Sequence, residues 1–224
     1  AGLPFISPDY SSAWLLKDVQ MGYLQEKFGK KGLMILYTSP WPGQGFYTKT
    51  PVNSVADFKG KKLRIYSTAT QQMGSMLGFN ATILPFAEIP QAFSTGLIEA
   101  LFTSPQTGID IQAWDNTKHF TYAGAIFSKN AVVVSKKAFN ALSKNDQANM
   151  LAAAKRAELR GWEMSAETTK KQIDILKKNG MSAKNAPDEV ISKMKTIGLE
   201  MMKTWRAKAS PEANVVLDRY LSMR

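Results

Sequence analysis

The 224-residue sequence predicts an α/β protein of two lobes with one long helix spanning both. Three observations predict it. A β-α-β-α-β pattern runs from Lys62 to Thr103. A helical pattern holds from Ser143 to Lys178, about 50 Å at 1.5 Å per residue, which exceeds the width of one small lobe. Between them in character, Ser39-Pro40-Trp41-Pro42-Gly43-Gln44-Gly45 forbids regular structure and suits a chain crossing or a ligand loop.

Taken in order, Ser12–Phe28 reads as a helix. Leu15, Val19, Met21, Leu24 and Phe28 fall near one face, and Gly29 is a natural stop. Leu33–Tyr37 is an apolar run of strand length. Ser54-Val55-Ala56-Asp57 has the spacing of a capped turn. Strands are then expected at Lys62–Ser67, Ala81–Pro85 and Ile98–Thr103. Helices at Thr70–Leu77 and Glu88–Thr95 separate them, stopping at Gly78 and Gly96. Short connections make these strands parallel, and such sheets bind ligands beyond the carboxyl ends of their strands. Trp114–Phe120 continues helically. Tyr122–Phe127 and Ala131–Ser135 read as strands, the second so continuously apolar that both its faces should be covered. After the long helix, expected to bend at Gly161 and to close at Asn179-Gly180, helices start at Pro187 and at Ser210-Pro211-Glu212, where cap, proline and acid coincide.

The net charge of +11 raises the question of nucleic acid, but its distribution points elsewhere. Residues 1–149 hold +5 of it and residues 150–224 hold +6, lysine dominates, and no basic run is interleaved with aromatics. A solvated basic surface is the plainer reading. Cysteine is absent, which removes disulfides and thiolate chemistry and agrees with an oxidising compartment. No apolar run approaches the ~20 residues of a membrane-spanning helix, and Ala1-Gly2-Leu3-Pro4-Phe5 has neither the basic nor the apolar region of a secretory leader.

Catalytic constellations are missing as well. The single histidine, His119, falls on the expected Trp114–Phe120 helix and has no second histidine or cysteine to complete a metal site. There is no G-x-S-x-G nucleophile, and Thr48 stands where a dinucleotide fingerprint beginning at Gly43 would need its third glycine. Neither catalytic residues, metal nor cofactor are therefore expected. What remains is binding chemistry. Arg64 lies between Leu63 and Ile65, so strand alternation puts it on a face with Lys62 and Tyr66. Its planar fork suits a carboxylate, with two parallel charge-assisted hydrogen bonds. A structural arginine paired with Asp57 or Glu88 is the alternative.

The stretch Asp57-Phe-Lys-Gly-Lys-Lys-Leu-Arg64 resembles the D-x-K-G-x-K-x-R signature of solute-binding proteins of tripartite ATP-independent periplasmic (TRAP) transporters, the DctP-like family. Pro85–Ala100 is similar to that family's P-x-E-x-x-x-A-x-x-x-G-x-x-D-G stretch, with Glu99-Ala100 in place of Asp-Gly. Val134–Leu142 followed by Asp146-Gln147 matches a third block. The resemblance implies a two-lobed periplasmic-binding-protein-like fold. It also implies a periplasmic, non-enzymatic subunit that takes a small organic carboxylate in the interlobe cleft and delivers it to membrane permease subunits, with no nucleic-acid partner and no membrane insertion of its own. Arg64 aligns with the arginine that bridges to the ligand carboxylate, the polar contact after the third strand falls on Thr103 or Ser104, and Gln44 stands near where a second arginine is common. One cation among aromatics (Trp41, Phe46, Phe86, with Trp114 further along) favours a monocarboxylate with an apolar or aromatic body over a four-carbon dicarboxylate. The expected lobes are residues 1–42, 130–168 and 211–224 for the first, and 43–129 with 169–210 for the second. Family members open with a β-α-β region that this sequence lacks, so the first lobe is expected to be incomplete, with an unpaired sheet edge. An enzyme acting on a small carboxylate on the same fold, and a basic binder of nucleic acid or another anionic surface, are the competing readings.

Overall fold

The computed structural model describes residues 2–224. Its larger sheet has six strands, and the β-α-β-α-β unit forms half of it. β3 (Lys62–Ile65) pairs in parallel with both β4 (Asn80–Ile83) and β5 (Ala100–Thr103), as short crossovers require. The crossover helices are α2 (Thr68–Met76), capped by Ser67, and α3 (Ile89–Ser94), which follows a 3₁₀ turn at Phe86–Glu88. The expected turn at Ser54 is a 3₁₀ turn over Val55–Phe58, with Ser54 and Asp57 forming a reciprocal capping box. Beyond β5 the strand order continues to β2 (Gly45–Thr48), β6 (His119–Tyr122) and β8 (Ser182–Asn185).

Alternation along these strands sorts two cores onto the two faces of the sheet. Phe46, Leu63, Ile65, Ala100 and Phe102 join Met73 of α2 and Met194 and Ile197 of α7 (Asp188–Lys208) on one face. Tyr47, Leu101 and Phe120 join Ile89, Phe93 and Leu176 on the other. Arg64, between Leu63 and Ile65, points away from the first core.

The smaller sheet is a ribbon of β1 (Leu33–Pro40) and β7 (Lys129–Ser135), antiparallel from Leu33↔Ser135 to Pro40↔Lys129 with a bulge between Ile35 and Tyr37. Among the described residues both outer edges of this ribbon are unpaired. α1 (Tyr10–Gly29) packs on β1 and on α8 (Pro211–Ser222). The long helix α6 (Lys144–Lys178) runs unbroken past Gly161, capped by Ser143, whose side chain accepts from the Asp146 amide at 3.1 Å. It packs on β1 at one end and on β8 and α4 (Pro105–Asp110) at the other, so it spans both sheets. The lobes are linked by 41–44, leading from β1 to β2, and by 123–128, leading from β6 to β7. These segments run side by side: the Trp41 amide donates to the Ser128 carbonyl at 2.8 Å and the Gly124 amide to the Gln44 carbonyl at 2.9 Å. Gly43 has no room for a side chain, since a Cβ would lie 3.0 Å from the Phe127 ring and against the Tyr122 hydroxyl.

The structure corrects several local expectations. Ser39 and Pro40 belong to β1; proline is tolerated because this strand has an open edge. Phe46 and Tyr47, directly after the expected loop, lie in a fully buried strand whose four residues are too few for a periodic signal. The Trp114–Phe120 helix reduces to a 3₁₀ turn at Ala113–Asp115, entered through a left-handed Gln112 at φ 49°. His119 opens β6, whose pairing with β2 and β8 overrides local preference, and the strand expected at Tyr122–Phe127 is the second linking segment instead. β7 is not covered on both faces: its residues are exposed or half-buried, with Val133 40% exposed. α4, the short α5 (Lys136–Asn140) and β8 gave no sequence signal.

Candidate functional site

Arg64 is 4% exposed on β3. Its Nε donates to the Leu84 carbonyl at 3.0 Å, and its guanidinium carbon lies 6.0 Å from the centre of the Tyr66 ring. It forms no ion pair with Asp57, which instead accepts from the Asn53 and Ser54 amides, nor with Glu88, an exposed residue preceding α3. Burial lowers its pKa from the ordinary arginine value, opposed by Tyr66. A desolvated guanidinium with no carboxylate opposite it among the described residues is costly to hold and calls for an anion.

The space in front of it is a cavity of about 660 Å³ at the junction of the two lobes. Trp41, Gln44, Phe86, Thr103 and Ser104 all line this cavity with Arg64, so the fold gathers six of the residues singled out from sequence at one place. They arrive from four separate parts of the chain. Trp41 and Gln44 come from the first linking segment, Phe86 from the 3₁₀ turn after β4, and Thr103 and Ser104 from the carboxyl end of β5, where a parallel sheet presents its loops. Gln44 is 3% exposed and held from two sides. It accepts from the Tyr66 hydroxyl at 2.7 Å and donates through Nε2 to Ser128 Oγ at 3.0 Å. This relay ties the β3 end to both linking segments and pins the wall around Arg64. Burial pushes the Tyr66 phenol up to about 12, against hydrogen bonds to Gln44 and Ser128 and the Arg64 charge. Ser104 caps α4, accepting from the Thr107 amide at 3.2 Å and sharing a hydroxyl contact with Thr107 at 3.1 Å. Phe86 stands half-exposed at the rim.

Sequence reasoning missed Thr107, Asp110, Ser128, Lys129 and Asn130, which with Tyr66 complete the lining. Asp110 and Lys129 lie in stretches without motif or periodicity, and only the return of the chain from β6 into β7 brings Lys129 to the cavity that Arg64 lines. Tyr66 carried a signal: it shares a strand face with Arg64. Phe46 and Trp114 do not reach the cavity. Phe46 is stacked in the first core against Phe58, Phe79 and Phe102, and Trp114 packs on the second.

Two lobes linked by two adjacent segments, a helix spanning both and a polar cavity at their junction built around an arginine without an ion pair define a two-lobed solute-binding fold. Residues 1–208 match the bacterial extracellular solute-binding protein family 7, DctP, and the chain belongs to that family. It is similar to DctP7, a Bordetella pertussis extracytoplasmic solute receptor binding pyroglutamic acid, at 37% identity, 97% of this chain, 72% of that one and a TM-score of 0.94. A TRAP solute-binding protein specific for pyroglutamate, from an unidentified marine microbe and in complex with co-purified pyroglutamate, is 30% identical over 98% of this chain and 72% of its own, with a TM-score of 0.92. The Escherichia coli 2,3-diketo-L-gulonate-binding periplasmic protein YiaO is 26% identical over 80% of this chain and 56% of its own length. The chain thus spans about half the length of the curated relatives it matches.

Proposed function

We propose that this protein is the periplasmic solute-binding subunit of a TRAP transporter. It captures a small organic monocarboxylate between lobe I (1–42, 130–168, 211–224) and lobe II (43–129, 169–210) and delivers it to the membrane permease, acting by binding rather than catalysis and without a nucleic-acid partner. The observation that carries this reading is the buried, unpaired Arg64 facing the junction cavity. Its fork would take the ligand carboxylate in two parallel hydrogen bonds. Thr103 and Asn130 offer polar contacts, while Trp41 and Phe86 offer apolar surface for the body of the acid. L-Pyroglutamate, a five-membered lactam with a single carboxylate, has this composition, and both relatives at 30% identity or more described above bind it. No helix of the described residues is long and apolar enough to cross a membrane, which agrees with a role outside the bilayer.

A thermal-shift screen of organic acids tests the reading. Ligand at a hundred times its Kd stabilises the folded state by about 2.7 kcal/mol, which for a chain of this size raises Tm by roughly 5–10 °C. L-Pyroglutamate is expected to do so and to be recovered unchanged. Conversion of the acid would make the protein an enzyme, and a salt-sensitive shift with DNA alone would make it a nucleic-acid binder.

A further inference from the structure

Lys129 opens β7, where the chain passes from the second linking segment into the ribbon, opposite Pro40 of β1. It is partly buried and lines the same cavity as Arg64, yet among the described residues it forms no ion pair and no side-chain hydrogen bond. The charged groups around it do not satisfy it. Arg64 of β3 is another cation, and Lys17 of α1 is a third whose charge reaches Lys129. Lys17 is itself committed to Asp18 at 2.7 Å and to Glu158 of α6 at 3.4 Å, and Glu158 also accepts from Thr38 of β1. Asp110, at the end of α4, is the cavity's acid, and it is exposed and engaged by Gln106 at 2.7 Å. The Tyr66 hydroxyl is turned to Gln44. An ammonium held in a cavity without an acidic partner is the arrangement already seen at Arg64, on a different element.

We propose that Lys129 is a second anion-gripping cation of the cleft, contributed where the second linking segment enters β7, so that the acid held by Arg64 on β3 is also held by an ammonium at the start of β7. This rests on the carboxylate reading of the cleft and sharpens the ligand class: an acid with enough oxygen acceptors to satisfy two separate cations, as a carboxylate carrying a carbonyl elsewhere in the molecule does. Binding is then linked to protonation. Burial, with the nearby Lys17 charge, pulls the Lys129 pKa from 10.5 down to about 8 in the free protein. An anion placed against it favours the ammonium, so above about pH 8 the protein takes up a proton as it binds the acid, and affinity falls as pH rises. The Tyr66 phenol, at about 12, lies above this window.

The test is calorimetric titration of L-pyroglutamate into wild-type protein and the Lys129→Gln, Lys129→Arg and Arg64→Ala variants from pH 6.5 to 9.5, in two buffers of different ionisation enthalpy. Wild type is expected to bind with constant affinity up to about pH 7.5 and then to lose up to tenfold per pH unit, with proton uptake near pH 8.5. Lys129→Gln should bind about ten- to a hundredfold more weakly at pH 7, with a flat profile and no proton uptake. Lys129→Arg should bind more tightly than Lys129→Gln with an equally flat profile, since arginine stays charged. The melting temperature of ligand-free Lys129→Met should equal or exceed that of wild type at pH 7, because the variant removes a poorly solvated charge. If Lys129→Gln keeps wild-type affinity and pH profile while Arg64→Ala loses binding, the proposal for Lys129 is wrong and the carboxylate reading survives. If wild type gives no binding heat at any pH and no thermal shift, both fall together.

Discussion

Truncating Arg64 to alanine isolates the ligand anchor from the fold. In the free protein the side chain makes one hydrogen bond, Nε to the Leu84 carbonyl at 3.0 Å, and no ion pair. Losing that bond from a partly buried carbonyl costs about 1 kcal/mol. Removing a desolvated guanidinium returns energy of comparable size, so the two offset and the ligand-free Tm should move by no more than about 4 °C. Binding behaves differently. A carboxylate in the cavity would be desolvated against Arg64, and truncating one partner of such a pair costs about 2–5 kcal/mol. At 1.4 kcal/mol per factor of ten, affinity should drop roughly thirty-fold or more. Arg64→Lys should recover only part of the loss, because an ammonium cannot reproduce the two-pronged contact. Calorimetric titration with L-pyroglutamate and a melting curve of each variant read both quantities. Near-equal affinities across the three proteins would make Arg64 structural and move the carboxylate elsewhere. A large fall in the ligand-free Tm of Arg64→Ala would show that the fold depends on the guanidinium, contrary to its having one hydrogen bond and no ion pair within the protein.

Two further substitutions probe the frame around the site. Glu158→Ala removes the carboxylate that accepts from the Thr38 amide at 2.9 Å and hydroxyl at 2.8 Å and faces the 5% exposed Lys17, leaving buried donors unmet. It should cost about 1–3 kcal/mol and lower Tm by several degrees in a thermal melt. Gly43→Ala drives a methyl against the Tyr122 hydroxyl and the Phe127 ring where the linking segments touch. Overpacking of about 1–3 kcal/mol should lower Tm and weaken L-pyroglutamate binding, while the equivalent change at Gly180, whose surroundings are open but whose φ is 87°, should lower Tm alone.

The sequence by itself determined the elements whose signal is local. The parallel β-α-β-α-β unit, the capped 35-residue helix and the helices begun at Pro187 and Ser210 are written in periodicity, caps and glycine stops. The placing of an arginine among apolar strand residues is written there too. That Arg64 lacks a carboxylate was not legible, since Asp57 and Glu88 stood near enough in sequence to serve. The tertiary fold decides it, by spending Asp57 on a capping box and leaving Glu88 in solvent. Nor was the sheet order legible. β2 and β8 are four-residue strands that exist because β5 and β6 lie alongside them, and a strand's pairing energy belongs to its partner as much as to itself. The apolar Ala131–Val134 run misled for the same reason: apolarity records what a strand is suited to meet, while its exposure depends on which strands are present. The cavity itself is the furthest from sequence. Lys129 and Arg64 are far apart along the chain, and only the return of β6 through the second linking segment into β7 sets the two cations in one space.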